Sequence, residues 1–400
     1  MADGQQPQQS ALRLAVAAGL VFGAMLPATI VIPVVRRFVE AGWPGTEWLM
    51  HAFVAVNLLG ACVGGPILAV GAERASRRRA VAALAAALDG ALLLGAVLMP
   101  PLGVLLALRL VQGAFYIAAV SILMGSIRRQ SQTGAAMGLV GGAVVLSILV
   151  GIPAGAILGK VSPTLPLVVG GLVGVLTGLL TPVLLPKQTD AQRSSVTFRE
   201  LWQAPLLRGP TVVVALERFA VGAFVVTLQL YGHVLGVPDD RVSAWFSVFL
   251  TVFALATWPM ARAGERLDRW KLVGGGALVY GVTFFALPLL PVPALSGLLA
   301  VGGLASAAIY GPSLGLAAMA VPAQSRASAM AVLNAAGTLG MFLGSTLAGL
   351  LSGVLIAGGV ARVTAYGVVF AAAGVAQLGS VVVAVLPGRA ASPAADVEAG

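Results

Sequence analysis

The sequence predicts an all-α membrane protein in which twelve transmembrane helices form two pseudo-symmetric six-helix bundles. Three observations carry this. Hydrophobic residues make up 59% of the chain and charged residues 10%, with mean hydropathy +0.99, more apolar surface than one soluble core can bury. The apolar residues come in runs of about 20 or more, the length that crosses a bilayer at ~1.5 Å per residue. Finally, GPILAVGAERASRRR at 65–79 returns in layout as TWPMARAGERLDRWK at 257–271, an offset of 192 (265 − 73). The chain therefore reads as two related halves, each with a charged hairpin between two spans.

The first ten residues are polar, with Asp3 their one charge, and the apolar run at 12–35 is longer than a signal-peptide core, so it reads as a retained first span. Spans 2 to 6 follow at 48–71, 80–100, 102–124, 134–159 and 164–185. The long polar segment 186–209, with Lys187, Arg193, Arg199 and Arg208, is the expected linker between an N-terminal bundle, 1–185, and a C-terminal bundle, 210–400. Spans 7 to 12 fall at 211–235, 242–262, 272–290, 294–320, 329–357 and 363–386.

Orientation follows from the basic residues. With a cytoplasmic N-terminus, seventeen of the 24 Lys and Arg lie in inside segments, including Arg13, Arg128, Arg129, Arg326 and Arg389. Five lie outside: Arg36, Arg37, Lys160, Arg241 and Arg362. The expected topology is multi-pass in the inner membrane with both termini cytoplasmic. The net charge of +10 is thereby spent on topology and not on nucleic acid. Cys62 is the sole cysteine, which excludes an intramolecular disulfide and a Cys-based metal site. His51 and His233 have no acidic or Cys partner in spacing, and no glycine-rich loop with a Lys offers a nucleotide site. No metal, no cofactor and no enzymatic activity are expected, and the chain is expected to act as a monomer.

In both hairpins an apolar helix runs out into Glu-Arg and a basic cluster: Glu73, Arg74, Arg77, Arg78 and Arg79, then Glu265, Arg266, Arg269 and Lys271. An acid at a helix end can accept hydrogen bonds from a neighbouring helix N-terminus. The stretch 65–79 resembles the loop between spans 2 and 3 of the major facilitator superfamily, roughly G-x-L-x-D-R-x-G-R-R-R. Glu73 stands at the family's Asp and Ser76 at its loop glycine. The resemblance extends over the whole chain through span count, linker position and repeat. It implies a conformational latch at Glu73, Arg74, Arg77, Glu265 and Arg266 that favours the outward-facing state. The plainer reading is a solvated basic loop that only fixes topology.

In span 4, Arg109, Gln112, Gly113 and Tyr116 fall at i, i+3, i+4 and i+7, so one helical face carries a cation, an amide, a gap and a phenol. An arginine inside a span costs at least about 2.5 kcal/mol and is tolerated toward a wet cavity or a partner. The segment resembles the same family's R-x-x-Q-G signature, whose arginine is linked to proton transfer. The alternative is a structural arginine bonded to backbone carbonyls of a neighbouring helix. In span 5, Gly151, Pro153, Gly155 and Gly159 resemble the glycine-proline stretch of the drug:proton antiporter branch, in the G-x-P-x-G form of arabinose-efflux-like permeases. Small residues four apart also serve plain helix packing.

Asp89, Arg109, Glu217 and Arg218 are ionisable residues inside spans. Glu217 lies about two turns, ~11 Å, into span 7, which the resemblance makes a lining helix. A carboxyl desolvated in a cavity can exchange a proton near neutral pH, which makes Glu217 the leading proton carrier, unless a fixed cation holds it. Its side chain and that of Arg218 point about 100° apart and need not satisfy each other. Asp89, mid-span in helix 3, is within roughly one turn in depth of Arg109, and a buried Asp89–Arg109 pair is the preferred reading, with a part in proton coupling as the alternative. Gln112, Tyr116, Met25, Thr29, Phe224, Gln229 and Tyr310 are candidate walls of a largely apolar solute cavity, each of which packing alone would also explain.

The resulting expectation is a proton-coupled secondary transporter in the lipid bilayer. Its partners are protons and a small amphipathic or hydrophobic solute, exported by alternating access. An uptake symporter or facilitator of the same fold, and a non-transporting membrane protein, are the rival readings.

Overall fold

Among the described residues twelve long helices follow one another: α1 Gln5–Ile30, α2 Glu47–Arg74, α3 Arg78–Val97, α4 Leu102–Gly125, α5 Thr133–Val161, α6 Leu165–Leu184, α7 Pro205–Val234, α8 Asp239–Arg266, α9 Arg269–Ala286, α10 Leu295–Met319, α11 Arg326–Ala357 and α12 Arg362–Val385. They belong to a computed structural model that describes residues 5–44, 47–75, 77–126, 133–185, 200–201 and 204–385. Ser76, Arg128, Arg129, Lys187, Arg193, Arg199, Arg389 and the side chain of His51 lie outside the described residues. Past α1 the chain continues through a 3-10 turn, Ile32–Val34, into a short helix, Val35–Gly42. No strand occurs among the described residues.

Eleven of the spans are long and apolar enough to cross a membrane by length and composition. The twelfth, α9, is 18 residues long and opens on Arg269 and Lys271, which lower its mean hydropathy. Its start is fixed by Asp268, whose carboxylate accepts from Trp270 N at 2.8 Å and Lys271 N at 3.4 Å. Helices α7 and α11 stop at Gly236 and Gly359, the two glycines with positive φ among the described residues. There the amides of Val237 and Val360 reach back to Gly232 O and Leu355 O.

The packing repeats when six is added to every helix number. In the first half α1 packs on α5, α4 and α6, α2 on α4, and α3 on α4 and α6; in the second α7 packs on α11, α10 and α12, α8 on α10, and α9 on α10 and α12. The contacts between halves obey the same rule: α5 meets α8 and α10, as α11 meets α2 and α4. Without a hydrophobic drive between helices in lipid, such close pairs need small residues where backbones touch. Gly113 shows why, since a Cβ there would run into the Asn57 carbonyl of α2.

Candidate functional site

The two halves meet along a seam. At the end of the molecule to which the linker attaches, the seam is closed by two acids. Glu73, the penultimate residue of α2, is buried. Its Oε1 accepts from the Ala327 amide at 2.8 Å, and its Oε2 accepts from the Ser328 hydroxyl. Both donors belong to the first turn of α11, where free backbone N–H groups and the helix dipole favour a negative charge. Arg78, the first residue of α3, lies 3.8 Å from Glu73 and donates to the carbonyls of Ala323 and Gln324 just before α11. In the other half Glu265 Oε1 accepts from the Ala135 amide, in the first turn of α5, at 2.9 Å. The acceptors are 192 residues apart, and so are the donors (327 − 135).

The hairpin arginines divide between surface and seam. Arg74, Arg77 and Arg266 are exposed, while Arg78 is buried and bonds across the seam.

Deeper in the seam, Asn334 of α11 donates to Ser121 Oγ of α4 at 3.0 Å, and the Cys62 thiol lies 3.5 Å from Ala335 O. Cys62 sits about 18 Å from the end of α2 at ~1.5 Å per residue.

In the first half, Arg109 is buried and held by Phe53 and Gln112. Its Nε donates to Phe53 O at 3.2 Å, its Nη1 to Gln112 Oε1, and its Cζ lies 4.1 Å over the Phe53 ring. Asp89 is fully buried, with Gln112 beside it and Arg109 as its charged neighbour, and no ion pair within 4 Å joins it to Arg109. The expected direct Asp89–Arg109 pair is therefore not made. Gln112, one turn along α4 on the same face, intercepts the guanidinium first.

The second half holds a tighter cluster. Glu217 is completely buried, and its Oε1 accepts from the Ser306 hydroxyl at 2.6 Å. Arg218 Nε lies 3.3 Å from Glu217 Oε2, an ion pair whose geometry falls short of a directed hydrogen bond. The two side chains thus form an ion pair that their helical angle does not require. A long arginine stem can curl back when both charges are out of water. The guanidinium also lies 4.5 Å over the Tyr310 ring and 5.5 Å from that of Phe253, and it faces Tyr116 across the seam. Of the pair, Arg218 retains 13% exposure and Glu217 none.

The expected cavity residues separate. Met25 is half-buried, and Gln229 is exposed three turns along α7 from Arg218 on nearly the same face. Tyr116, Gln112 and Tyr310 are buried beside the charged clusters. Thr29 is not on a cavity wall: its hydroxyl contacts Leu26 O and Ser147 O at 3.1 and 3.0 Å inside the α1–α5 contact. There Gly151 and Gly155 let α5 approach Thr29 and Ile30, with Pro153 between them in the same helix. Phe224 is likewise packed away, within 5.4 to 6.0 Å of the rings of Phe249, Phe284 and Phe246.

Ser306, Tyr280, Ser328 and Ser121 enter the site without having been singled out in the sequence. Ser306 had a signal, since it precedes Tyr310 by four and Ser313 by seven on one face of α10. Among the described residues no three His, Cys, Asp or Glu side chains gather as a metal site would require.

Residues 14–238 and 210–399 each match the family described as Major Facilitator Superfamily, so the matches take in both halves. No curated protein matches the sequence. Among solved structures, the human organic anion transporter MFSD10 (TETRAN) is similar in fold, with a TM-score of 0.73 at 15% identity over 94% of this chain and 99% of that one.

Proposed function

The chain belongs to the Major Facilitator Superfamily and is a multi-pass membrane secondary transporter; we propose that it couples proton movement to the export of a small amphipathic or hydrophobic organic solute, acting as a monomer in the inner membrane. The observation that carries proton coupling is Glu217. This carboxyl is completely buried, pinned by Ser306 on one oxygen and set against Arg218 at the seam on the other. Adding a proton to Glu217 removes the counter-ion of Arg218, so one protonation event changes the charge at the surface where the halves must part. Asp89, Gln112 and Arg109 offer a second buried carboxyl-cation group in the other half, and the latch acids hold the linker end shut. The glycine-proline stretch Gly151, Pro153 and Gly155, packed on α1, supports export as the direction.

Purified protein in liposomes tests this directly. Candidate solutes are first selected by thermal shift of the protein. A selected solute is expected to accumulate against its own gradient when a pH gradient is imposed, and to stop when an ionophore collapses that gradient. Accumulation indifferent to the ionophore would exclude proton coupling.

With 186–209 as a cytoplasmic linker, single cysteines placed at Ser194 and Ser392 in a Cys62→Ala background are expected to react with impermeant maleimide only after the cells are opened. Reaction at either position in intact cells reverses the orientation.

A further inference from the structure

Helices α7, α10, α9 and α12 pack on one another in a closed ring. Each contributes fully buried polar side chains: Glu217 from α7, Ser306 from α10, Tyr280 from α9, and Gln377 with Ser380 from α12. Gln377 and Ser380 are three residues apart and share a face with Phe370, whose ring meets Tyr231 of α7. They lie at the depth of the acid. Gly379 faces Leu216, the neighbour of Glu217, and Gly281, the neighbour of Tyr280, faces Leu378, the neighbour of Gln377.

Among the described residues, Ser380 Oγ and both amide atoms of Gln377 have no hydrogen-bond partner, Tyr280 Oη has the Ser306 hydroxyl beside it without a directed hydrogen bond, and Glu217 Oε2 has only the ion pair with Arg218. Buried polar atoms of this kind are satisfied in folded proteins by ordered water when protein groups do not reach them. One such atom would be a packing accident. Five on three neighbouring helices of one ring mark a buried polar region. Apolar side chains would have filled it at less cost.

We propose that this ring holds ordered water bound by Gln377, Ser380 and Tyr280, and that this water exchanges the proton with Glu217 on the side of α7 away from the seam. The step balances simply: a hydronium gives its proton to Glu217 Oε2, leaving water and a carboxylic acid, and the reverse step restores both. Ser306 holds Oε1, which leaves Oε2 as the exchanging oxygen. The charged and titratable groups that face Glu217 among the described residues are Arg218, Tyr280 and Tyr310. The ionisable residues of α12, Arg362 and Tyr366, lie eleven or more positions before Gln377 (377 − 366), so Gln377 and Ser380 act as positioning residues for water. The proton and the solute would thereby use opposite faces of one helix. The inference rests on the proton-coupling reading of Glu217.

The test needs no solute. Full-length protein in nanodiscs is subjected to a pH jump, and the carboxylic C=O infrared band that is absent from Glu217→Gln is followed in time. The double variant Gln377→Leu/Ser380→Ala is expected to show the same band amplitude, reached about tenfold more slowly and with a larger solvent deuterium isotope effect. Hydroxyl-radical labelling of Tyr280, which depends on adjacent water, is expected to fall in parallel. An unchanged rate or unchanged labelling overturns the relay. Should the double variant fail to fold, Ser380→Ala and Gln377→Leu singly are held to the same criterion. If the wild-type protein shows no Glu217 band at any pH, the coupling reading itself fails, an outcome distinct from failure of the relay.

Discussion

Glu217→Gln is expected to abolish solute transport driven by a pH gradient, a fall of about a hundredfold or more, while solute binding and counterflow exchange stay measurable. The glutamine keeps the length of the side chain and can still accept from Ser306, so the α7–α10 contact survives. It cannot cycle between charged and neutral forms. It fixes the site in an arrangement like the protonated one, with Arg218 lacking its anionic partner at 3.3 Å. Exchange of labelled solute across the membrane needs no net proton movement and therefore persists, whereas accumulation does not. Arg109→Ala is expected to differ in kind. That arginine bridges Phe53 O and Gln112, so its loss should weaken binding and coupling together. Gradient-driven transport that survives Glu217→Gln but fails in Asp89→Asn would move the proton to α3, and survival in both variants would leave a facilitator.

The helix count and the twofold repeat were legible in the sequence because both are written in composition. Apolar runs of membrane length read directly, and a 192-residue offset needs only two recognisable hairpins. Partners were harder, because they depend on rotamers and on helices far apart in the chain. Nothing local says that Ala327 and Ser328 cap Glu73, although once that pair is seen the offset gives Ala135 for Glu265. Likewise helical angle alone separated Glu217 from Arg218, whereas burial of both charges draws them together. Gln377 and Ser380 escaped notice for another reason. They stand in an otherwise apolar span, where two uncharged polar residues look like ordinary helix packing until the surrounding ring shows them unpartnered.

The two latch acids are related by the repeat yet are expected to be unequal. Glu73 is almost entirely buried, accepts two hydrogen bonds from α11 and faces Arg78, whereas Glu265 is half-buried and accepts one from α5. A hydrogen bond to a charged group contributes about 1.5–3 kcal/mol, and solvent screening reduces the exposed case. Glu73→Gln should therefore shift the balance between the two end states toward opening at the linker end by about ten- to a hundredfold, and Glu265→Gln by clearly less. Distances between spin labels placed on the two halves at the linker end read that balance, with the far end as a control that should move oppositely. The variants should retain the wild-type thermal unfolding temperature to within a few degrees, since the bonds lost join the halves and leave each bundle intact. Equal shifts from the two substitutions would show that burial does not set the strength of the latch. No shift from Glu73→Gln, with normal transport, would reduce the hairpin to a topological device, because the bonds to Ala327 and Ser328 would then form without biasing either state.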